Sequence, residues 1–490
     1  MDIIVFGVGE ALNKRLSFLE QNYHIVFCVD NDPAKWGTTI RGYEVKSPLE
    51  VTKYNHIVVI TTGQYRIEIG KQLQQMGVSK NRVYICHSYS EKNMRREEIY
   101  PCLEENLLPA EKTLINYDLY NKKEEKTKSK KVLIFCCFYS VYTKQLIENM
   151  SKRYHDIEFS LLTNAPEYKT NIFSAQLKHI YYFQTMSDLK TILSEIPVYD
   201  AMQLLWIEWY WCYFYRLIRK KAIRLNLNVG GSDFYRATES ERDYKRELIA
   251  CSDKVTAETL ETIQEFTSYY RKDIKKDMEL LPFGVLVLEY INKNKDIDKA
   301  LIKEKYHIPQ NKIVVTCGHN ANIAHQHMEI IDALNELSED IQKQIVCVFP
   351  MTYPNVFGSH IEAVRSRLEK VKFDNVILTE FMDFQSMAEY ALISDVMIHV
   401  QTTDQLSSTM LEEMYAGSVV IAGSWLPYKS LHEMGIYFLD VDMIPDITAV
   451  LEEVVLKMDD YQEKCKRNKE IVWNHSSWDA LAPKWRLLWD

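Results

Sequence analysis

The sequence predicts an α/β protein in which two Rossmann-like lobes follow a smaller Rossmann-like unit. Three observations predict it. Short apolar strand patterns alternate with helical ones, which implies parallel sheets. The alternation starts at 3–6, starts afresh at 132–135 after a charged stretch, and again at 312–317. A chain of 490 residues also exceeds what one core supports, since single cores stop growing at about 250–300 residues.

Composition narrows the class. Hydrophobic residues are 47% and charged residues 26%, which suits a globular protein and excludes disorder as the main state. The balance of 59 basic against 68 acidic residues, net −9, argues against a general nucleic-acid binder. Cysteines such as Cys28, Cys136, Cys137, Cys212 and Cys347 sit in apolar runs with no CxxC pair. They read as buried free thiols in a reducing compartment. The opening Met1-Asp2-Ile3-Ile4-Val5-Phe6 reads as a strand rather than a signal peptide. The most apolar long stretch, 198–218, contains Asp200, Glu208 and Arg216, so no spanning helix is expected.

The first unit has strands at 3–6, 24–29, 56–61 and 82–85, with helices toward 19 and near 67–76. Gly7 and Gly9 follow its first strand and Asp30 ends its second. That is a partial dinucleotide fingerprint, because Leu12 stands where the third glycine belongs. Residues 91–98 and 121–131 are charged runs and read as solvated linker. The second unit has strands at 132–135, 159–163, 201–206 and 225–229, with a helix at 144–153. Gly230-Gly231-Ser232-Asp233 follows a strand there. The glycines allow close backbone approach, and Asp233 either handles an acceptor hydroxyl or caps the next helix. The aromatic run 206–215, ahead of Arg219-Lys220-Lys221, either rests on a membrane surface, stacks on sugars, or packs in the core.

The third unit has strands at 312–317, 345–349, 376–378, 396–400 and 419–422. After its first strand comes Gly318-His319-Asn320-Ala321-Asn322-Ile323-Ala324-His325-Gln326-His327. A strand, a glycine turn and a helix in that order suit phosphate contacts; surface histidines at a helix start are the alternative. No metal site is expected, because no His-Glu-x-x-His and no cysteine partner at ligand spacing occurs. After 396–400 comes a polar loop with Asp404, then Ser407, Ser408 and Thr409 at a helix start, then Glu412. The helix start favours an anion such as a diphosphate. Two carboxylates at that separation suit a hydroxyl-rich ligand, or else are solvated acids on a capped helix.

From Asp404 through Glu412 to the Val419-Val420-Ile421 strand, the segment resembles the carboxylate-pair motif of retaining GT-B glycosyltransferases. Asp404 stands where that family usually has Glu, and Gln405-Leu406-Ser407 replaces its Gly-Phe-Gly. The resemblance implies that Asp404 lies at the donor sugar and that Glu412 binds the ribose. Lys254-Val255-Thr256-Ala257, Leu281-Pro282-Phe283-Gly284 and Ser476-Ser477-Trp478 resemble further family segments in the same order. The loop of Gly318, His319, Asn320, Asn322, His325 and His327, with Phe349-Pro350-Met351-Thr352-Tyr353-Pro354, resembles the fucosamine transferase of enterobacterial common antigen. It implies donor contacts from these residues and from Thr352 and Glu380, with charged rings facing the diphosphate. Asn31-Asp32-Pro33 to Gly37, Gly42 and Ser47-Pro48-Leu49-Glu50 resemble the N-terminal domain of bacterial sugar O-acyltransferases, which implies a ligand at Gly7, Gly9 and Asp30, or a docking role.

The expected division is 1–115 for the N-terminal unit, 116–131 for the linker, 132–284 for the acceptor lobe, 285–475 for the donor lobe and 476–490 for a helix crossing back. The expected activity is a metal-independent, cofactor-free sugar transfer in bacterial surface polysaccharide or glycoconjugate assembly. It runs from a nucleotide-diphosphate sugar to a glycan, lipid-linked or protein acceptor, in the cytoplasm or at the inner membrane face. Asp404 and Asp233 are the candidate catalytic residues, and self-association is compatible with this. A non-catalytic nucleotide-sugar-binding subunit is the main alternative. A nicotinamide-dependent enzyme is disfavoured, since no Tyr-x-x-x-Lys pair follows the first unit.

Overall fold

The computed structural model describes residues 1–62, 65–89, 96–101, 129–136, 141–164, 176–271, 278–353 and 358–490. Most of the expected linker lies outside them, as does Pro354.

Three twisted sheets follow one another along the chain. The first holds β1 (Asp2–Phe6), β2 (His24–Val29), β3 (Thr39–Ile40), β4 (Tyr43–Lys46), β5 (Ile57–Ile60), β6 (Val83–Tyr89) and β7 (Arg96–Pro101) in the order β3-β4-β2-β1-β5-β6-β7. Its strands run parallel except where β3 meets β4 and β6 meets β7. The second holds β8 (Lys130–Cys136), β9 (Ile157–Thr163), β10 (Leu177–Tyr182), β11 (Tyr199–Leu205), β12 (Ala222–Asn228), β13 (Lys254–Ala257) and β14 (Glu279–Leu280), all parallel, in the order β10-β9-β8-β11-β12-β13-β14. The third holds β15 (Ile313–Cys317), β16 (Ile345–Pro350), β17 (Asp374–Leu378), β18 (Val396–His399), β19 (Val419–Gly423) and β20 (Leu439–Val441), also parallel, in the order β17-β16-β15-β18-β19-β20.

The strands form where the sequence is apolar without alternation, because helices cover both faces of a parallel sheet. Every residue of β16 and of β19 is buried. Among the helices of the first two units are α1 (Glu10–Asn22), α2 (Arg66–Gln75), α3 (Val141–Arg153) and α4 (Glu239–Cys251). A buried apolar cluster runs from Ile4, Phe6, Ile69 and Leu73 of the first unit into Phe135, Met202 and Leu248 of the second. Arg66 of α2 donates to Glu241 of α4 at 2.9 Å, so an ion pair ties the two units as well.

Three further helices complete the frame: α5 (His327–Asn335), α6 (Ser408–Ala416) and α7 (Trp478–Trp489). Helix α7 packs on the second sheet, where Trp478, Trp485 and Trp489 join Val132, Ile134 and Phe283 in one core. Its Trp485 indole donates to the Pro282 carbonyl at 3.2 Å. A Cβ on Gly284 would lie 2.4 Å from the Trp478 ring, so glycine lets the last helix seat there.

Residues 211–215 of the aromatic run pack in the core, the last of the three readings given above. Trp211, Tyr213 and Tyr215 are buried, and Trp211 stacks on Phe135 at 4.1 Å. Arg219 and Lys221 donate to backbone carbonyls at 2.8 and 2.6 Å, so these two cations serve the local fold. Among the described residues no helix is long and apolar enough to cross a membrane.

Candidate functional site

Order reverses between β8 and β11 in the second sheet and between β15 and β18 in the third. Ligands of open α/β sheets bind at such switch points, outside the carboxyl ends of the strands. The loops after β15 and β18 carry His319 and Asp404, and β18 itself ends in His399. The loops after β11, β12 and β13 bring Trp206, Gly230 with Gly231, and Glu258 to the same cleft.

Two cavities lie there. The first, about 150 Å³, is lined by Tyr142, Trp206, Gly230, Gly231, Ser232, Tyr235, Arg236 and Glu258 from the second unit and by Thr403, Asp404, Gln405 and Leu406 from the third. The second, about 50 Å³, belongs to the third unit; His319, Thr352, Tyr353, Thr409, Glu412 and Glu413 line it. Both fall below the usual small-molecule range of about 300–1,000 Å³, and contacts between the two units close over the first. Glu261 accepts from the Ser430 amide at 2.6 Å and from its hydroxyl at 2.8 Å, and Tyr142 meets Ser408 at 3.2 Å. The glycines are needed for this fit. A Cβ on Gly230 would sit 1.7 Å from Trp206, and one on Gly231, whose φ is +80°, 2.8 Å from Gln405.

Asp404 is held in place. Tyr428 donates to its Oδ2 at 2.5 Å, His399 Nε2 lies 3.3 Å from the same oxygen, and the Gln405 amide donates to Oδ1 at 2.9 Å. Burial alone would raise the pKa of Asp404, but the His399 and Tyr428 hydrogen bonds outweigh it and hold the carboxyl below its usual range. Glu258 stands opposite in character. Burial first, then the charges of Asp404 and Asp233, push its pKa up to about 8. One cleft therefore holds an ionised and a protonated carboxyl at neutral pH, the pattern by which acids and bases are told apart in a site.

Helix α6 carries the other candidates. Ser407 caps it by accepting from the Met410 amide at 3.2 Å, Ser408 faces Tyr142, and Thr409 and Glu412 face the second cavity. Burial and neighbouring Glu413 push the pKa of Glu412 up to about 8. Glu413 is bound by the Ser418 hydroxyl at 2.6 Å, and burial lifts its pKa to about 8 as well. Thr352 lines the same cavity, whereas Glu380 stands exposed in the turn after β17 and lines neither.

Several expected residues are occupied locally. Asp233 accepts from the Ile207 amide at 2.7 Å and does not line the cleft, so it acts as the turn's anchor while Glu258 takes the position facing Asp404's loop. Asn320 accepts from the Asn322 amide at 2.8 Å, and Asn322 caps the short turn Ile323–His325. In the first unit, Asp30 Oδ2 receives the Val8 amide at 2.7 Å and Lys35 at 3.1 Å, and its Oδ1 the Asp32 amide at 2.9 Å. Asp30 thus holds the turn of Gly7 and Gly9 by direct contacts.

The histidine loop lies inside the protein. Gly318, with φ +68°, turns the chain so that His319 and His325 pack against His399 and His327 against His325; a Cβ on Gly318 would meet His325 at 3.2 Å. Burial pushes the His319 pKa down to about 3 and that of His327 to about 4, and drives His325 well below its usual value. This corrects the expectation of charged rings facing a diphosphate: the rings are neutral at pH 6.

Glu258, His399, Tyr428, Tyr142 and Arg236 were not among the expected site residues. Glu258 had a readable signal, since a carboxyl directly after a parallel strand lies at the ligand-binding end of the sheet. Tyr428 had none, because it reaches Asp404 from a loop after β19.

Comparison with known proteins agrees with this geometry. The family described as C2185-like, N-terminal, matches residues 1–84. No curated protein gives a match. Among solved structures, a glycosyltransferase from Rickettsia africae superposes with a TM-score of 0.60 at 13% identity, covering 74% of this chain and 98% of its own. HepE from Anabaena, solved with UDP and glucose, gives 0.55 at 10% identity over 73% and 98%. The UDP-GlcNAc 2-epimerase of Neisseria meningitidis, bound to UDP-GlcNAc, gives 0.50 at 12% over 71% and 97%. The second and third sheets thus form the paired α/β lobes of the GT-B fold. At these identities the likeness is one of fold, and it includes both transferases and an epimerase.

Proposed function

We propose that the cleft between the second and third sheets transfers a sugar from a nucleotide-diphosphate donor to an acceptor hydroxyl. The observation that carries this reading is the pairing of an ionised Asp404 with a protonated Glu258 across the cleft, next to the cavity that Glu412 and Thr409 line. The donor nucleotide takes the second cavity, with its ribose on Glu412 and its diphosphate toward the start of α6. The sugar extends into the first cavity, where Asp404 stabilises positive charge developing at the anomeric carbon. The bond from that carbon to the diphosphate oxygen breaks, and its electron pair leaves with the nucleotide. The acceptor oxygen forms the new bond, and its proton passes to the departing phosphate, so the configuration is retained, as the carboxylate-pair pattern implies. Glu258 stays protonated and donates a hydrogen bond to a hydroxyl in the cleft. We place the activity in bacterial surface polysaccharide or glycoconjugate assembly, with residues 1–115 as a docking or ligand-binding unit and 116–131 as linker.

Incubating the protein with a panel of UDP-, GDP-, ADP- and dTDP-sugars and following nucleotide release by NMR tests this. Release that Asp404→Asn abolishes while donor binding remains supports the reading. Conversion of the sugar with no nucleotide released would mean an epimerase, and binding with neither outcome would mean a non-catalytic subunit.

A further inference from the structure

His319, His325 and His399 each bring a ring nitrogen within 4.8 Å of one from each of the others. The three come from two segments that meet at the switch point of the third sheet, the turn after β15 and the end of β18. The His319 and His325 ring centroids are 4.2 Å apart, and His319 and His399 stack at 5.7 Å. His325 and His399 are 1% and 0% exposed. Their free nitrogens are left without a hydrogen-bond partner: Nδ1 of His319, both nitrogens of His325 and Nδ1 of His399. Buried polar atoms in folded proteins almost always have partners, and a group of orphans converging on one point calls for a ligand.

We propose that His319, His325 and His399 bind a divalent transition-metal ion, zinc in the first instance. Three imidazoles with one open position form a common zinc set, and rigid tetrahedral geometry places its nitrogens about 3.4 Å apart at Zn–N distances of about 2.0–2.1 Å. The rings here are slightly wider and need only draw inward. Burial already keeps His319 and His325 neutral, which is the state that binds metal. His399 supplies a further feature. Its Nε2 faces Asp404 Oδ2 at 3.3 Å and the Tyr428 hydroxyl at 3.0 Å, which leaves Nδ1 for the metal. A ligating histidine usually gives its other ring nitrogen to a carboxylate, which fixes the ring and strengthens the ligand. The nearby imidazole of His327 gives its Nδ1 to His360 at 3.1 Å and stands outside the set of three.

The ion would also supply something the cleft lacks. Arg236 is the one Lys or Arg among the described residues lining the two cavities. His319 lines the second cavity, so the open coordination position faces the place assigned above to the diphosphate. That last step rests on the proposed function; the metal site itself rests on the three rings alone.

The test uses the full-length protein stripped with chelator, then dialysed against zinc or cobalt with no nucleotide present. Elemental analysis is expected to find about one ion per chain, and cobalt to give the visible absorption of a four-coordinate site. His325→Asn and His399→Asn should each weaken zinc binding more than about 100-fold, and Asp404→Ala about 10–100-fold through His399. Half-buried His432, paired with Asp440 at 2.8 Å, serves as control, and His432→Asn should leave zinc binding unchanged. If the buried variants fail to fold, X-ray absorption at the zinc edge of the wild type decides: imidazole nitrogens at about 2.0 Å support the site. No bound metal in the folded wild type, ligation by oxygen alone, or uptake unchanged in folded His325→Asn overturns it. Metal bound without any sugar transfer leaves the site standing and removes only the functional reading.

Discussion

Tyr428 donates its phenolic hydrogen to Asp404 at 2.5 Å from the far side of the third sheet's switch point. The contact matters because Asp404 sits deep enough that burial alone would favour its neutral form. Tyr428 and His399 together keep it ionised. Replacing Tyr428 by Phe should cost about 1.5–3 kcal/mol of stability, the usual loss for a hydrogen bond to a charged group. Urea denaturation measures the cost. Donor turnover should fall in the same variant while donor affinity is kept, since the Gln405 amide still holds the other oxygen at 2.9 Å.

Glu258 sets a pH limit on activity. Its pKa is pushed to about 8 by burial and by Asp404 and Asp233, and Arg236 is the nearby cation of the cleft. Below that pH it is protonated and donates; above it, a second negative charge stands beside Asp404. Turnover should therefore fall as pH rises through about 8. Glu258→Gln, which keeps a donor but cannot ionise, should stay active and lose that alkaline limb in a pH–rate profile. An inactive Glu258→Gln would make Glu258 a proton acceptor instead.

Glu413 makes a stability prediction of the same sign. Its carboxyl moves from the ordinary value of 4.5 to about 8 on folding, so the folded state holds the proton more tightly than the unfolded state. The stability this gives is complete below about pH 4.5 and is lost as pH rises through about 8. Glu413→Gln should flatten the decline in urea midpoint between pH 5 and pH 9 and keep the Ser418 contact.

Glu261 and Ser430 clasp the two lobes at 2.6 and 2.8 Å, and the cavities behind them are smaller than a typical ligand site. If the cleft takes the proposed donor, the clasp is expected to part as the sugar enters the first cavity. Glu261→Ala should raise the association rate of a donor in stopped-flow fluorescence, with a modest loss of thermal stability.

The central strands are legible because they are apolar with little interruption: 24–29 reads in full, and 345–349 and 419–422 fall one residue short. The short edge strands β3, β14 and β20 escape such reading, since two or three residues carry no period. Helix α6 is legible from Ser407 and from Gly417, which ends it in a left-handed turn. The site is legible only along the chain. Asp404 and Glu412 lie on one continuous segment, whereas the partners that decide their charge, Tyr428 and His399 for one and Glu413 for the other, act through burial that no local pattern reports. The histidines show the same limit. Their spacing resembles a surface loop, and the glycine turn at Gly318 folds them inward.

Calorimetric titration of the UDP-, GDP-, ADP- and dTDP-sugar panel into wild type and Glu412→Ala asks whether Glu412 and Asp404 line one nucleotide-sugar site. At least one nucleotide sugar should bind the wild type, and Glu412→Ala should weaken it by about 1–3 kcal/mol, while Asp404→Asn leaves the nucleotide's contribution in place. Equal affinity in wild type and Glu412→Ala for every nucleotide sugar, or no binding to the folded wild type at all, would contradict a shared site.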